Sequence, residues 1–313
     1  VTRDSGPAAV DHGAPSPPAE RPAMGALDTG AVLLIVLIWG FNFVVVKVGV
    51  NQIPPIFALV LRFILVAVLL APFLRPLGSR WRLVAALSVV FGSLHFGLLF
   101  AGLKGVDAGE AAIAIQLAVP FSAVLAWVVF REAVGVWQVA GMLVAFAGVY
   151  LLVGQPEVDT STVHFLMVVG AALAWAVTNV IIKRLGRINV FVLNAWVALL
   201  AAPQLAVATW LLEDGQWSAL AAADWRGWGA IVYTALGPTI TAYGLWYWLI
   251  SKHDMGRVIP MMLLVPVIAV LFAAALLDEP LTLRVIGGGL TTIVGVALIQ
   301  LFPPRRAAAG TGG

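Results

Sequence analysis

Several polar residues stand where the sequence offers them no water. Arg62 lies in Leu61-Arg62-Phe63, about eight residues into an apolar run. An ionisable group at that depth faces a protein interior or a wet cavity. Its planar guanidinium suits bidentate binding of a carboxylate, or pairing with a structural acid or backbone carbonyls. Asn42 lies in Trp39-Gly40-Phe41-Asn42-Phe43-Val44-Val45-Val46-Lys47, and the pattern returns as Trp175-Ala176-Val177-Thr178-Asn179-Val180-Ile181-Ile182-Lys183. Trp175, Asn179 and Lys183 are spaced four and four and share one helical stripe, as do Trp39 and Asn42 three apart. Such stripes either line a polar cavity or hold helices together through side-chain amides. Lys47 and Lys183, near run ends, can snorkel to headgroups.

His95 and Gln116 are deep and can both donate and accept; each is a binding group or a satisfied packing group. Glu110 is a candidate carrier of a coupling proton, or a cap for its own helix. Tyr243, Trp246 and Tyr247 form an aromatic face bearing hydroxyls, which would suit small amphiphilic solutes or plain packing. Pro120, Pro260 and Pro266 interrupt the backbone ladder within apolar runs and are candidate hinges, with Pro238 a further one.

The elements that must position these residues follow from composition. Of 313 residues 62% are hydrophobic and 11% charged, where a soluble domain carries about 25% charge. The class is therefore integral membrane protein. The net charge of +3 matters less than its placement. With no cysteine and four scattered histidines there is no thiolate or paired-histidine metal site, so no metal or other cofactor is expected. A phosphate-cradling glycine loop and a serine nucleophile elbow are also missing. These gaps argue against an enzyme and against nucleic-acid binding. A non-transporting interaction subunit remains as a rival in another class.

Ten apolar segments reach the length of a span, at 29–50, 54–74, 82–103, 108–130, 134–153, 163–184, 190–212, 227–250, 256–277 and 283–302. Segment 1–28 reads as a disordered tail and 303–313 as a second polar tail. The first apolar run is full length and reads as a retained span. With the N-terminus inside, inner connections carry Arg3, Arg21, Arg75, Arg80, Arg82, Arg131, Lys183, Arg184, Arg187, Lys252, Arg257, Arg305 and Arg306. Outer ones carry Lys104, Arg226 and Arg284. That excess sets both termini on the cytoplasmic side of the membrane.

Trp39 and Lys47 map onto Trp175 and Lys183 with an offset of 136. Glu132, Gly141 and Gly148 map onto Glu279, Gly288 and Gly295 with an offset of 147. Two halves of five spans each, 29–153 and 154–302, must enter the membrane from opposite sides. The expected fold is thus an all-α integral membrane protein of ten transmembrane helices in two inverted five-helix repeats.

The stretches Trp39 to Phe43 with Lys47, Leu61-Arg62-Phe63, Arg257 to Pro260, and Leu263-Leu264-Val265-Pro266 running to Asp278-Glu279-Pro280-Leu281-Thr282 carry a resemblance. The chain resembles the EamA branch of the drug/metabolite transporter superfamily from about Gly30 to Phe302, and within it is similar to the O-acetylserine/cysteine exporters. The resemblance implies ten helices, an inner-membrane location and export of small metabolites, often amino acids. It also implies that spans 3, 4, 8 and 9 line the cavity. Ile115-Gln116-Leu117-Ala118-Val119-Pro120 is poorer in glutamine and aromatics than its counterpart in those exporters, which leaves the substrate open.

The expected function is secondary-active export of amino acids or related metabolites by alternating access. The alternative is export of drugs or other hydrophobic metabolites, which the scarcity of intramembrane acids disfavours for cations. Trp39, Asn42, Arg62, His95, Gln116, Trp175, Asn179, Tyr243 and Trp246 are the expected substrate contacts. The expected partners are a small-molecule substrate and the lipid bilayer, with a monomer as the working unit.

Overall fold

The structure, a computed structural model, describes residues 25–153, 160–253 and 258–302, and is helical with no strand among them. Helix α1 is Ala26–Gln52 and α2 is Pro55–Leu69. Helix α3 is Gly78–Gly105 and α4 is Ala108–Phe130. They are followed by α5 (Val136–Val153), α6 (Thr160–Leu185), α7 (Val190–Leu212) and the short α8 (Gln216–Ala222). Helix α9 runs over 225–252. Pro260–Leu277 is α10 and Leu283–Leu301 is α11.

Among the described residues seven helices are long and apolar enough to cross a membrane: α1, α3, α4, α6, α7, α10 and α11. Helices α2 and α5 are apolar but shorter. Helix α2 falls short of the expected 54–74 because Pro72 lacks an N–H and biases its predecessor away from helical ψ; a 3-10 turn, Ala71–Phe73, follows instead. Helix α1 starts at Ala26, so Asp28 is not part of a tail. It sits in the first helical turn, where its Oδ2 accepts from Gly25 N at 3.2 Å. The remainder of the first expected tail, residues 1–24, and the second, 303–313, lie outside the described residues.

The two halves share backbone irregularities at one offset. Residues Ser88–His95 of α3 and Ala235–Ala242 of α9 are both π-helical, and each is followed by ten α-helical residues, Phe96–Gly105 and Tyr243–Lys252. Arg131 ends α4 at φ 56°, and Asp278 ends α10 at φ 56°. In both cases the next amide reaches back six residues, Glu132 N to Ala126 O and Glu279 N to Ala273 O, each at 3.4 Å. This is the left-handed helix ending that satisfies otherwise orphaned carbonyls. Ser88 and Ala235, like Arg131 and Asp278, are 147 residues apart.

Packing repeats the correspondence. Helix α1 packs on α10 and α9, and α6 packs on α4 and α3; α2 packs on α7, and α5 on α11. The α5–α11 contact is backbone-close: a Cβ on Gly148 would lie 2.4 Å from Thr292 N, and one on Gly295 would lie 2.3 Å from Ala145 N. Only glycine permits that approach. Trp81, Trp127, Trp137, Trp210 and Trp228 are exposed, whereas Trp39, Trp175 and Trp246 are partly buried among the helices.

Candidate functional site

Arg62 stands on the buried face of α2 with 4% of its surface exposed. Its Nη2 donates to Thr239 Oγ1 at 3.1 Å. The guanidinium carbon lies 4.2 Å from the ring centre of Phe96, 5.3 Å from that of Phe63 and 5.8 Å from that of Phe100. Ring faces stabilise a desolvated cation by roughly 2 kcal/mol, less than the several kcal/mol that burying a charge costs. Among the described residues no carboxylate makes a salt bridge to Arg62, and its buried Nε has no hydrogen-bond partner. The site thus holds an uncompensated positive charge with a free donor.

The sequence of α9 explains why Thr239 is in place. Pro238 has no N–H to give to Thr234 O, four residues back. The helix widens to π geometry there, and the Thr239 hydroxyl donates to Thr234 O at 3.1 Å. A hydroxyl that has given its proton to a carbonyl retains lone pairs, and one of them receives Arg62. The chain from Arg62 through Thr239 to Thr234 is a consequence of one proline. Thr239 was not singled out in the sequence; a hydroxyl directly after a mid-span proline was the available signal.

Aromatic rings surround this point. Trp39 of α1 lies edge-on to Tyr243 at 5.6 Å between centroids and tilted against Trp246 at 5.9 Å. Tyr243 is one turn beyond Thr239. His95 lies 4.8 Å from Phe96 and 5.0 Å from Trp175 between ring centroids. His95 Nδ1 is 2.8 Å from Ala171 O. A carbonyl only accepts, so Nδ1 carries the proton. Gly40 lets α1 come against α10 beside this wall: a Cβ there would meet Ile268 Cγ2 at 2.7 Å. Arg62, His95, Trp39, Trp175, Tyr243 and Trp246 are therefore linked through shared neighbours.

Other expected residues lie apart. Asn179 is exposed and donates to Ser122 Oγ at 3.1 Å, tying α6 to α4. Lys183, one turn on, pairs with Glu132. Asn42 is half-buried with no partner for its Oδ1. Gln116 lies half-buried in the 3-10 turn Ile115–Leu117, just before Pro120, and Pro260 is the second residue of the 3-10 turn Ile259–Leu263, just before Pro266. Both prolines deprive a carbonyl four residues back, and each helix tightens there. Glu110 lies in the first turn of α4 in a small crevice with Asp107 and Glu279. It does not cap that helix: Glu279 does, accepting from Ala108 N at 2.7 Å and Gly109 N at 3.0 Å. Lys47 is not directed at headgroups, since its Nζ donates to Val106 O at 2.8 Å.

A second polar knot joins α3 and α7. Gln204 donates to Ser88 Oγ at 2.9 Å and accepts from Ser93 Oγ at 2.8 Å, spanning the π-helical stretch of α3. No group of three or more metal-ligating side chains gathers among the described residues.

Comparison with known proteins adds to this geometry. A protein of Salmonella typhimurium strain LT2 named "Probable amino-acid metabolite efflux pump" is 33% identical over 304 residues, covering 92% of this chain and all of that protein. A protein of Escherichia coli K12 with the same name is 32% identical over 271 residues, covering 83% of this chain and 90% of that one. A solved crystal structure superposes with a TM-score of 0.60 at 19% identity, over 88% of this chain and 96% of that chain, which shows a shared fold. The model of the EamA-like transporter family matches residues 29–154 and again 163–301, one match for each half. This chain therefore belongs to the EamA-like transporter family.

Proposed function

We propose that this protein is a secondary-active exporter of amino acids or related small metabolites in a bacterial inner membrane. The substrate carboxylate is bound by Arg62 between the rings of Trp39, Trp175, Tyr243 and Trp246. The observation that carries this reading is the buried guanidinium with no acid partner and an unused Nε. A carboxylate would supply both the missing charge and the missing acceptor. The names of the two relatives support the amino-acid class. An exporter of hydrophobic cations would meet repulsion from Arg62.

The same proposal includes the membrane architecture. Helices α1 to α7 and α9 to α11 are ten spans in two inverted repeats, with both termini in the cytoplasm, and transport proceeds by alternating access. The recurrence of π-helical stretches and left-handed helix ends at one offset supports the repeat. His95, Asn42, Gln116 and Asn179 complete the polar lining as the cavity changes shape. Pro120, Pro260 and Pro266 mark where α4 and α10 flex, and Glu110 is the candidate proton carrier.

Counterflow in proteoliposomes preloaded with cysteine, O-acetylserine or aromatic amino acids tests the reading. Labelled amino acid is expected to accumulate with wild type and not with Arg62→Ala. Equal counterflow with folded Arg62→Ala would remove the clamp, and no counterflow of any amino acid by folded wild type would remove the substrate class.

A further inference from the structure

Two lysine–glutamate arrangements occupy opposite ends of α4. At its start, the connection between α3 and α4 is gripped from both sides. Lys47 of α1 donates to Val106 O at 2.8 Å, and Glu279, from the connection between α10 and α11, accepts from Ala108 N and Gly109 N at 2.7 and 3.0 Å. Beyond its end, Glu132 pairs with Lys183 of α6, whose ammonium also lies 4.4 Å from the ring centre of Phe130. A helix of 23 residues separates the two by roughly 34 Å, the thickness of a bilayer core.

The two arrangements use equivalent parts. Glu132 and Glu279 each follow the left-handed residue that ends a helix, Arg131 or Asp278, with the same backward amide bond. Lys47 and Lys183 each stand eight residues after a tryptophan, Trp39 or Trp175. Each tie also crosses between the halves of the chain: Glu279 reaches from the second half to α4, and Lys183 reaches from the second half to Glu132.

We propose that these ties are the two gates of the transporter, one for each face of the membrane, released in turn. The inference rests on the alternating-access reading. If the cavity is to open at one end while the halves stay together, one tie must break and the other hold. The ties are unequal. Glu279 accepts two backbone bonds at a half-buried position, while Lys183 and Glu132 are half-exposed and screened. The gate at the start of α4 is therefore the tighter one.

The chain has no cysteine, so Gln116→Cys in the middle of α4 supplies a sole thiol for an impermeant maleimide. Labelling is measured in right-side-out and inside-out vesicles. Glu279→Ala is expected to raise labelling about tenfold from the face at which α4 begins, the factor expected when buried backbone amides lose their acceptor. Glu132→Ala is expected to raise it about twofold from the opposite face only, as for an exposed pair. Glu279→Gln, which keeps one acceptor, is expected to fall between wild type and Glu279→Ala, and serves should the alanine variant fail to insert. The proposal is overturned if both variants act from the same face, if folded variants leave labelling unchanged, or if the thiol is silent from both faces throughout. Failure of amino-acid counterflow with intact labelling shifts would remove the substrate reading and leave the gates standing.

Discussion

Arg62 and Thr239 meet at 3.1 Å although 177 positions separate them in the chain. The bond joins α2 of the first half to the π-helical stretch of α9 in the second. A guanidinium held by one hydroxyl and three phenyl rings is positioned but not neutralised. Rings and a hydroxyl fix its plane without competing for the charge. Its Nε keeps a free donor beside that charge.

Thr239→Val keeps shape and removes the hydroxyl. Thr234 O then loses the bond from the hydroxyl, and Arg62 loses its anchor. A buried donor of a charged group left unpaired costs about 1–3 kcal/mol. The expected outcome is a lower midpoint of thermal unfolding in detergent together with weaker substrate binding, while Thr239→Ser restores both. Full activity in folded Thr239→Val would show that the anchor is dispensable.

Much of the fold was legible because a bilayer allows few solutions. Long apolar runs separated by short turns imply helices, and the matching of Glu132 with Glu279 is repeated in the backbone of Arg131 and Asp278. The depth of Arg62 was legible for the same reason: a charge stands out in an apolar run. The partners were less legible. Thr239 and Ser93 are ordinary residues until a π-helical stretch turns them towards a neighbour, and Gln204 is ordinary until α7 brings it against one. Glu110 drew attention as an acid near a span, yet the carboxylate that binds the start of α4 comes from Glu279, 170 residues further along than Gly109. Spacing within a helix does not reveal such tertiary partners.

Gly295→Val tests the closest helix contact. The added Cβ would meet Ala145 N at 2.3 Å and Gly141 O at 2.6 Å, backbone atoms that cannot rotate away. Overpacking of this kind costs typically 1–3 kcal/mol or more. The unfolding midpoint is expected to fall sharply, and Gly287→Val, with open space around its Cβ, is expected to leave it unchanged. Equal midpoints for the two variants would contradict the close α5–α11 packing.

Glu213 caps α2 from a distance. Its carboxylate accepts from Ile56 N at 2.8 Å, Phe57 N at 3.0 Å and Thr209 Oγ1 at 2.7 Å. Without it the first amides of α2, the helix that carries Arg62, are left unpaired. Glu213→Ala is expected to lower stability by about 1–3 kcal/mol and to raise amide exchange at Ile56 and Phe57. Exchange unchanged there would mean that water replaces the carboxylate without loss.

The start of α4 is expected to respond to pH through Glu279. Burial pushes this carboxyl above its ordinary value of 4.5, with the amides of Gly109 and Ala108 pulling partly the other way. Asp107 raises it further and Lys47 lowers it, while Glu110 and Arg284 share the same surroundings. A group whose pKa is higher when packed binds its proton more tightly in the packed arrangement. Protonation therefore favours the packed form, and that advantage is lost as pH rises through the window from 4.5 upward to the packed value. Labelling of the thiol at position 116 from this face is expected to increase across that window. Glu279→Gln, which cannot ionise, is expected to flatten the rise. If the rise persists in Glu279→Gln, another group carries the titration and Glu279 serves only as an acceptor.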